Sequence, residues 1–512
     1  MVQDESRNGR LLAWGVCAVL AAIPLIILIP LIARYGFRAP FWDEWFLVPT
    51  IDRLFSGQLT FTDLWSQHNE HRPLFPRLVM LGLARMTHWD LRWNLVCNVL
   101  LGLTWLGGTL GLVWNTARRA SKPVAPWIVP VMAFVILSWA QMENWIWGWQ
   151  LLVFMNSTAV AVGVFLLAGN PWRWTRFAGA LAAGVVATYT MASGLLFWIA
   201  LFPLTLTDTR LPKPQRILAA LLWMLMAILT FQSYLFRYFK PTVSPPLDAF
   251  IRNPFGFLQF AVLYLGGPLT GLLTAPAWHG VAPAVPPYAF IPGLAGLALA
   301  AAMLTYYVKK RPIPLHALAP WICMALYAGG AAVLTAVGRI GLGVQNALIS
   351  QYMTTGAIFW AASAGAAMTL RPYPLHLPRF RRAALGVVGI ALFLAGELLM
   401  LRQSRDWTHL CRWRRMSWEA VRQGHHAPFY FKDLCYDPDL MPKVYLPAVH
   451  RLSLCGINAP PSPDYDAAAY LREAKEFLRR RTVPPARTYL ETALFLEPAN
   501  DEARQLLAQL PP

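Results

Sequence analysis

The sequence predicts an all-α protein that crosses a membrane many times. Three observations predict it. Of the 512 residues, 57% are hydrophobic and only 13% charged, whereas a soluble chain carries about 25% charged residues. Mean hydropathy is +0.43. Apolar runs of membrane-spanning length recur from residue 12 to residue 402, separated by short clusters of Lys and Arg. Those clusters give a net charge of +19 and mark cytoplasmic loops, where anionic membrane lipids add to the attraction. No long basic stretch is interleaved with stacking aromatics, which argues against a nucleic-acid partner.

The elements follow in order. Arg7 and Arg10 precede an apolar run from Leu11 to Ala33, longer than a signal-peptide core, so it reads as a retained first span over about 12–34. A long loop, 35–90, leads to a second span at about 91–116. Within the loop, Leu74–Met86 is amphipathic and reads as a membrane-surface helix. The basic loop Ala117–Lys122 then places the N-terminus inside and the long loop outside. A third span, about 124–141, ends at Gln141–Gln150 on the outer face, and a fourth returns to the basic Trp172–Arg176.

Residues 177–206 read as two short helices turning near Ser193-Gly194, because two return the basic loop Arg210–Arg216 to the cytoplasm. A span at about 216–236 leads outside to Phe236–Pro241. The apolar run 256–274 then reads as re-entrant or lying on the membrane, with Gly266-Gly267-Pro268 favouring a break. The alternative makes 177–206 one helix and 256–274 a true span; both give eleven crossings. Spans near 289–308, 315–337, 347–370 and 383–402 complete a membrane domain over 1–402.

Residues 403–512 are polar, begin with Arg405, Arg412, Arg414 and Arg415, and form a small helical domain on the outer side. In 464–510, Tyr470, Ala474, Phe477, Ala486, Leu490, Ala493 and Pro498 have the spacing of one tetratricopeptide-like unit, 467–510. An ordinary helical hairpin fits equally. One repeat cannot bury its own apolar face, so it packs on the rest of the chain or on a protein partner. Cys411, Cys435 and Cys455 lie in this domain, and an extracytoplasmic setting makes a disulfide between two of them plausible.

With this topology, Asp43 and Glu44, the string His68-Asn69-Glu70-His71-Arg72, Glu143, Arg237, Lys240 and Arg339 all fall near the outer face. Inner loops are almost purely basic, as topology demands. The outer set mixes acids, histidines and cations, which topology does not explain. Carboxylates close to a bilayer are costly and usually have a task. Asp43 is the first candidate for a general base toward a hydroxyl, and Glu44 the second. The plain alternative is that Asp43 caps a helix beginning at Glu44. His68, Glu70 and His71 have metal-ligand chemistry, though their spacing does not guarantee the geometry. Arg72 has the fork of donors that suits phosphate, and Arg77 and Arg85 read as interfacial. Glu143 sits among tryptophans, which suit either a sugar platform or an aromatic belt. There is no Walker motif, nucleophile elbow or dinucleotide fingerprint.

An acidic pair just after the first span, a long first outer loop with a membrane-surface helix, and a soluble C-terminal domain together resemble the C-type glycosyltransferase superfamily (GT-C). The His-Asn-Glu-His-Arg string looks like that of bacterial members. The resemblance implies a bacterial inner-membrane enzyme with a periplasmic C-terminal domain. It implies transfer of a hexose or pentose from a polyprenyl-phosphate carrier to a glycan, lipid or protein acceptor. Asp43 or Glu44 would be the base, and His68, Glu70, His71, Arg72, Glu143, Arg237, Lys240 and Arg339 would line the donor phosphate and substrate site. Some relatives use a divalent metal, which this sequence leaves open. The alternatives are a transporter or flippase of a lipid-linked sugar, and a non-catalytic envelope-glycan assembly protein. Near-absence of acids within the spans, Glu397 excepted, favours the enzyme over the transporter.

Overall fold

The computed structural model describes residues 2–169, 171–207, 211–240, 251–273, 284–372, 378–404 and 407–511. Arg210, Pro241 and Arg405 lie outside the described residues. The described residues are mainly helical, with an isolated β-bridge between His68 and His71. Among the described residues, seven helices are long and apolar enough to cross a membrane: Gly9–Tyr35, Arg92–Arg119, Gly148–Leu167, Lys213–Leu235, Pro287–Lys310, Leu315–Leu342 and Ala383–Arg422.

Four more occupy the remaining expected crossings: Ile128–Ile136, Trp174–Thr188, Leu196–Thr207 and Ser350–Leu370. The first three have 9, 15 and 12 residues. That is shorter than the roughly 20 residues a bilayer core requires. Short, irregular segments at membrane depth survive only under protein cover, and the bundle provides it. Ser350–Leu370 is buried along most of its length.

The polar contacts sort the bundle into two ends. At one end the basic loops meet. Arg119 donates to the His316 carbonyl at 2.7 Å. Lys122 donates to the carbonyls of Thr369 and Arg371 at 3.0 and 2.7 Å, and Arg371 to that of Pro123 at 2.7 Å. At the opposite end lie the first loop, the Glu143 turn, Tyr189–Ser193, the end of Lys213–Leu235, and Arg339–Tyr352. The segments at 119–123, 316 and 369–371 thus meet at one end, as the charge pattern expects.

One ambiguous stretch resolves. Residues 174–207 form two helices with a turn at Ala192–Leu195. Gly194 lies so close to the Ala187 carbonyl that a Cβ would collide with it. Pro254–Thr270 is one continuous helix despite Pro268. Its neighbours belong to the site end. Gly271 approaches Ala140, Thr270 donates to the Ala289 carbonyl at 3.0 Å, and the Leu265 carbonyl accepts from Trp360 at 2.8 Å.

The C-terminal region docks onto the first loop. Trp45 is fully buried against Trp89, Trp418 and Tyr445. Its Nε1–H donates to the Leu434 carbonyl at 3.0 Å. The Cys455 N–H donates to the His88 carbonyl at 2.9 Å. Three short helices follow at Ala467–Arg479, Val483–Leu496 and Asp501–Ala508. Their apolar face closes on Trp407–Arg422, with Phe477 4.6 Å from Trp413 between ring centroids and Tyr470 Oη donating to the Met416 carbonyl at 2.7 Å. The repeat-like unit thus packs on its own chain.

The expected disulfide does not form: Cys411, Cys435 and Cys455 are free and buried. Each serves a different contact. The Cys435 thiol donates to the Asp437 carbonyl at 3.2 Å, for example, while Cys455 meets the loop at His88.

Trp45→Ala should cost about 3–5 kcal/mol and make the C-terminal region sensitive to protease, measured by thermal unfolding and limited proteolysis in detergent. An unchanged melting temperature and cleavage pattern would show that Trp45 does not clamp the two. Reductant should leave the melting temperature of the native protein unchanged.

Candidate active site

The site begins with a turn. Phe41 is extended, and Trp42–Leu47 coils as a short 3-10 helix. Glu44 occupies the third helical position and its Oε2 accepts the Phe41 N–H at 2.9 Å. That is the glutamate half of a capping box. Glu44 is fully buried, and its Oε1 has no hydrogen-bond partner among the described residues. Gly148 makes room for it: a Cβ there would lie 2.7 Å from Oε1. Burial pushes the Glu44 carboxyl up to about 8, against hydrogen bonds that favour its charge.

Asp43 therefore does not act as the cap. The preceding Trp42 adopts φ 47°, a conformation uncommon for non-glycine residues, and Asp43 emerges on the open side with its side chain 24% exposed. Its Oδ2 lies 3.7 Å from His68 Nε2. The acidic pair thus divides, one carboxyl holding the turn and the other facing the cluster.

The His-Asn-Glu-His string forms a tight hairpin. His68 and His71 exchange backbone hydrogen bonds at 2.9 and 2.8 Å, with Asn69 at φ 49°, which asparagine tolerates better than most residues. Residues directly opposite on paired strands present their side chains to the same face. His68 packs edge-on against Phe46 and Trp149, at 5.2 and 4.8 Å between ring centroids. His71 Nδ1 accepts the Ala192 N–H at 3.1 Å, so its proton sits on Nε2, 3.8 Å from Glu70 Oε1. Burial holds His71 below the ordinary histidine value although Glu70 opposes this. Glu70 also pairs with Arg339 at 2.8 Å. Burial raises the Glu70 carboxyl, but the cationic surroundings of His71 and Arg339 outweigh it, leaving it below the ordinary value. We hold the Arg339 contact to be the decisive one, because His71 is itself driven toward neutrality.

The remaining expected site residues separate. Arg72 is buried, and it donates to three backbone carbonyls: Tyr234 at 2.6 Å, Trp65 at 3.1 Å and Phe236 at 2.5 Å. It ties the hairpin to the end of Lys213–Leu235 and does not face outward as a phosphate ligand would. Arg77 is not interfacial either. It is buried and holds the carbonyls of Asp63, Leu64 and Ser66 at 3.1, 2.7 and 2.9 Å. Arg237 and Lys240 are exposed on the segment beyond Leu235. Gln67 anchors that segment to the hairpin through the Phe239 carbonyl at 2.7 Å.

Glu143 is fully buried, as are Trp145 and Trp147. No sugar can stack on those rings as they stand. Neither Glu143 oxygen has a well-formed hydrogen bond. Burial pushes its carboxyl up to about 8, with Arg414 and the Gln351 backbone acting in the opposite direction. Arg414, whose importance sequence reasoning missed, lies 3.9 Å over the Phe41 ring and 3.8 Å from Asp433. The only hint of it was its place in a run of arginines. Among the described residues, no three His, Cys, Asp or Glu side chains are placed to hold a metal: His68 faces Asp43 while His71 faces Glu70.

No family model and no curated protein matches the chain. Among solved structures it is similar to the crystal structure of ArnT from Cupriavidus metallidurans bound to undecaprenyl phosphate. The identity is 14% and the TM-score 0.40, over 94% of this chain and 75% of that one. A likeness of this size carries no argument about activity.

The buried carboxyl of Glu143 gives a pH test. Its ordinary value is 4.5 and its folded value about 8. Between those values the unfolded chain ionises while the folded chain keeps its proton, so this group's contribution is full below pH 4.5 and is lost as pH rises through 8. Glu143→Gln should flatten the fall in melting temperature over that window and leave the variant the more stable at the alkaline end. If the variant is instead less stable throughout, Glu143 is an ionised partner of Arg414.

Proposed function

We propose that the chain is an integral-membrane glycosyltransferase of GT-C type. It moves a sugar from a polyprenyl-phosphate carrier to an acceptor hydroxyl at the periplasmic face of the inner membrane. The observation that carries the reading is the division of the acidic pair. Glu44 is consumed by the turn, while Asp43 is held part-exposed beside His68. The hairpin also carries Glu70 and its partner Arg339. A solvated surface turn requires none of this convergence, and a base poised for proton transfer requires most of it.

The chemistry follows. The Asp43 carboxylate takes the proton of the acceptor hydroxyl, with His68 orienting it. The acceptor oxygen then forms a bond to the anomeric carbon as the bond from that carbon to the phosphate oxygen breaks. The polyprenyl phosphate leaves with the electron pair. Its growing negative charge meets Arg339, which Glu70 aims, and the exposed Arg237 and Lys240 at the rim. The activated donor supplies the driving force, consistent with the lack of an ATP-binding motif. Arg72 and Glu143 act as positioning residues in this scheme. The basic loops Arg119–Lys122 and Arg371, which meet at the end opposite Asp43, support the periplasmic placement of the site.

In proteoliposomes supplied with a polyprenyl-phosphate sugar and an acceptor glycolipid, Asp43→Asn should lower kcat by about 10²–10⁴-fold, the usual worth of a general base. The acceptor KM should change little. Glu44→Gln should keep far more activity. Full transfer by Asp43→Asn would remove the base; carrier translocation without transfer would favour the flippase.

A further inference from the structure

A second basic site lies away from the Asp43 cluster, where the first helix leaves the membrane. The helix Val2–Tyr35 ends at Arg34 and Tyr35. Against it packs the start of Trp407–Arg422, bringing Thr408, Cys411, Arg412 and Arg415. Together with Asp464 and Tyr465 they enclose an open cavity of about 290 Å³. None of these residues belongs to the set around Asp43.

The cavity wall is built from both segments. Arg415 Nη2 donates to the Arg34 carbonyl, and Tyr35 Oη shares a hydrogen bond with Thr408 Oγ1 at 3.0 Å. Three guanidinium groups converge here. Arg412 is paired with Glu473 at 2.9 Å. Arg34 lies 5.5 Å from the centroid of the Tyr35 ring. The buried Arg415 Nε–H finds no acceptor among the described residues. Against three cations stand two carboxylates, Asp464 on the cavity wall and Glu473 behind Arg412, so the cavity keeps a net positive charge. A lone arginine at a helix end would only snorkel toward the headgroups. Arginines from two distant segments around one polar cavity form a receptor for a planar or tetrahedral oxyanion.

We propose that this cavity binds the phosphate of an anionic membrane lipid. The place of the cavity selects the source. It opens where a spanning helix ends, the depth at which lipid phosphates lie. Adjacent apolar surface of the first helix, including the exposed Ile26 and Ile29, would run beside the acyl chains. The proposal depends on the chain spanning a membrane and not on its being a transferase.

The test uses the full chain in nanodiscs of phosphatidylcholine with phosphatidylglycerol, read by native mass spectrometry of retained lipid. The wild type should retain phosphatidylglycerol about tenfold more than Arg34→Gln/Arg412→Gln, and Arg34→Lys/Arg412→Lys should keep most of the retention. Melting temperatures report whether the variants fold. A photoreactive phosphatidylglycerol analogue on the wild type should label peptides spanning 407–415 or 464–465. Equal retention by a folded glutamine variant, or labelling confined to other peptides, would overturn the proposal. So would saturation by inorganic phosphate in detergent with no preference for the anionic lipid, which would identify a soluble anion as the ligand.

Discussion

One hydrogen bond decides how the outer end of this molecule is arranged: the Glu44 carboxyl accepting the Phe41 N–H at 2.9 Å. A carboxyl in the interior is expensive unless it is protonated or bonded, and Glu44 is favoured on both counts. The bond forces the chain into a turn immediately after the first span. The turn sends Trp45 into the C-terminal region and Asp43 toward His68. Gly148 is part of the same constraint, because any side chain there would push into the carboxyl. Lose that bond, and both the docking of the C-terminal region and the aim of Asp43 lose their common anchor.

Around that anchor the molecule separates two kinds of arginine. Arg72 and Arg77 are struts that satisfy carbonyls left open by irregular backbone. Such carbonyls are costly near a membrane, and a guanidinium with its five donors closes several at once. Arg339 keeps a partly exposed side chain and meets a carboxylate. The proposed chemistry draws on the second kind and relies on the first for rigidity. The buried carboxyls divide in the same way, with Glu44 and Glu143 inside and Asp43 and Glu70 at the edge.

Much of the fold was legible in the sequence because it rests on composition and charge. Spans follow from runs of apolar residues, and their direction from basic loops; Arg119, Lys122 and Arg371 meet at one end for that reason. The turn near Gly194 was readable from the same charge count. The site was only half legible. The acidic pair and the histidine string were visible as unusual chemistry. Which acid caps the turn was not, because burial against Gly148 decides it, and that contact comes from another helix. The plain alternative made Asp43 the cap, whereas Glu44 makes the capping contact. The burial of Glu143 and Arg72 was hidden likewise. The extracytoplasmic setting of three cysteines suggested a disulfide, but pairing depends on distances that the sequence does not contain.

In the proposed mechanism the Asp43 cluster receives the donor's phosphate. A structure of the protein in nanodiscs with a bound polyprenyl monophosphate tests it most directly. Phosphate density is expected within hydrogen-bond reach of Arg339 or the Arg237–Lys240 rim, on the side of the hairpin that faces Asp43. Density found only at the opposite end of the bundle, among Arg119, Lys122 and Arg371, would contradict it.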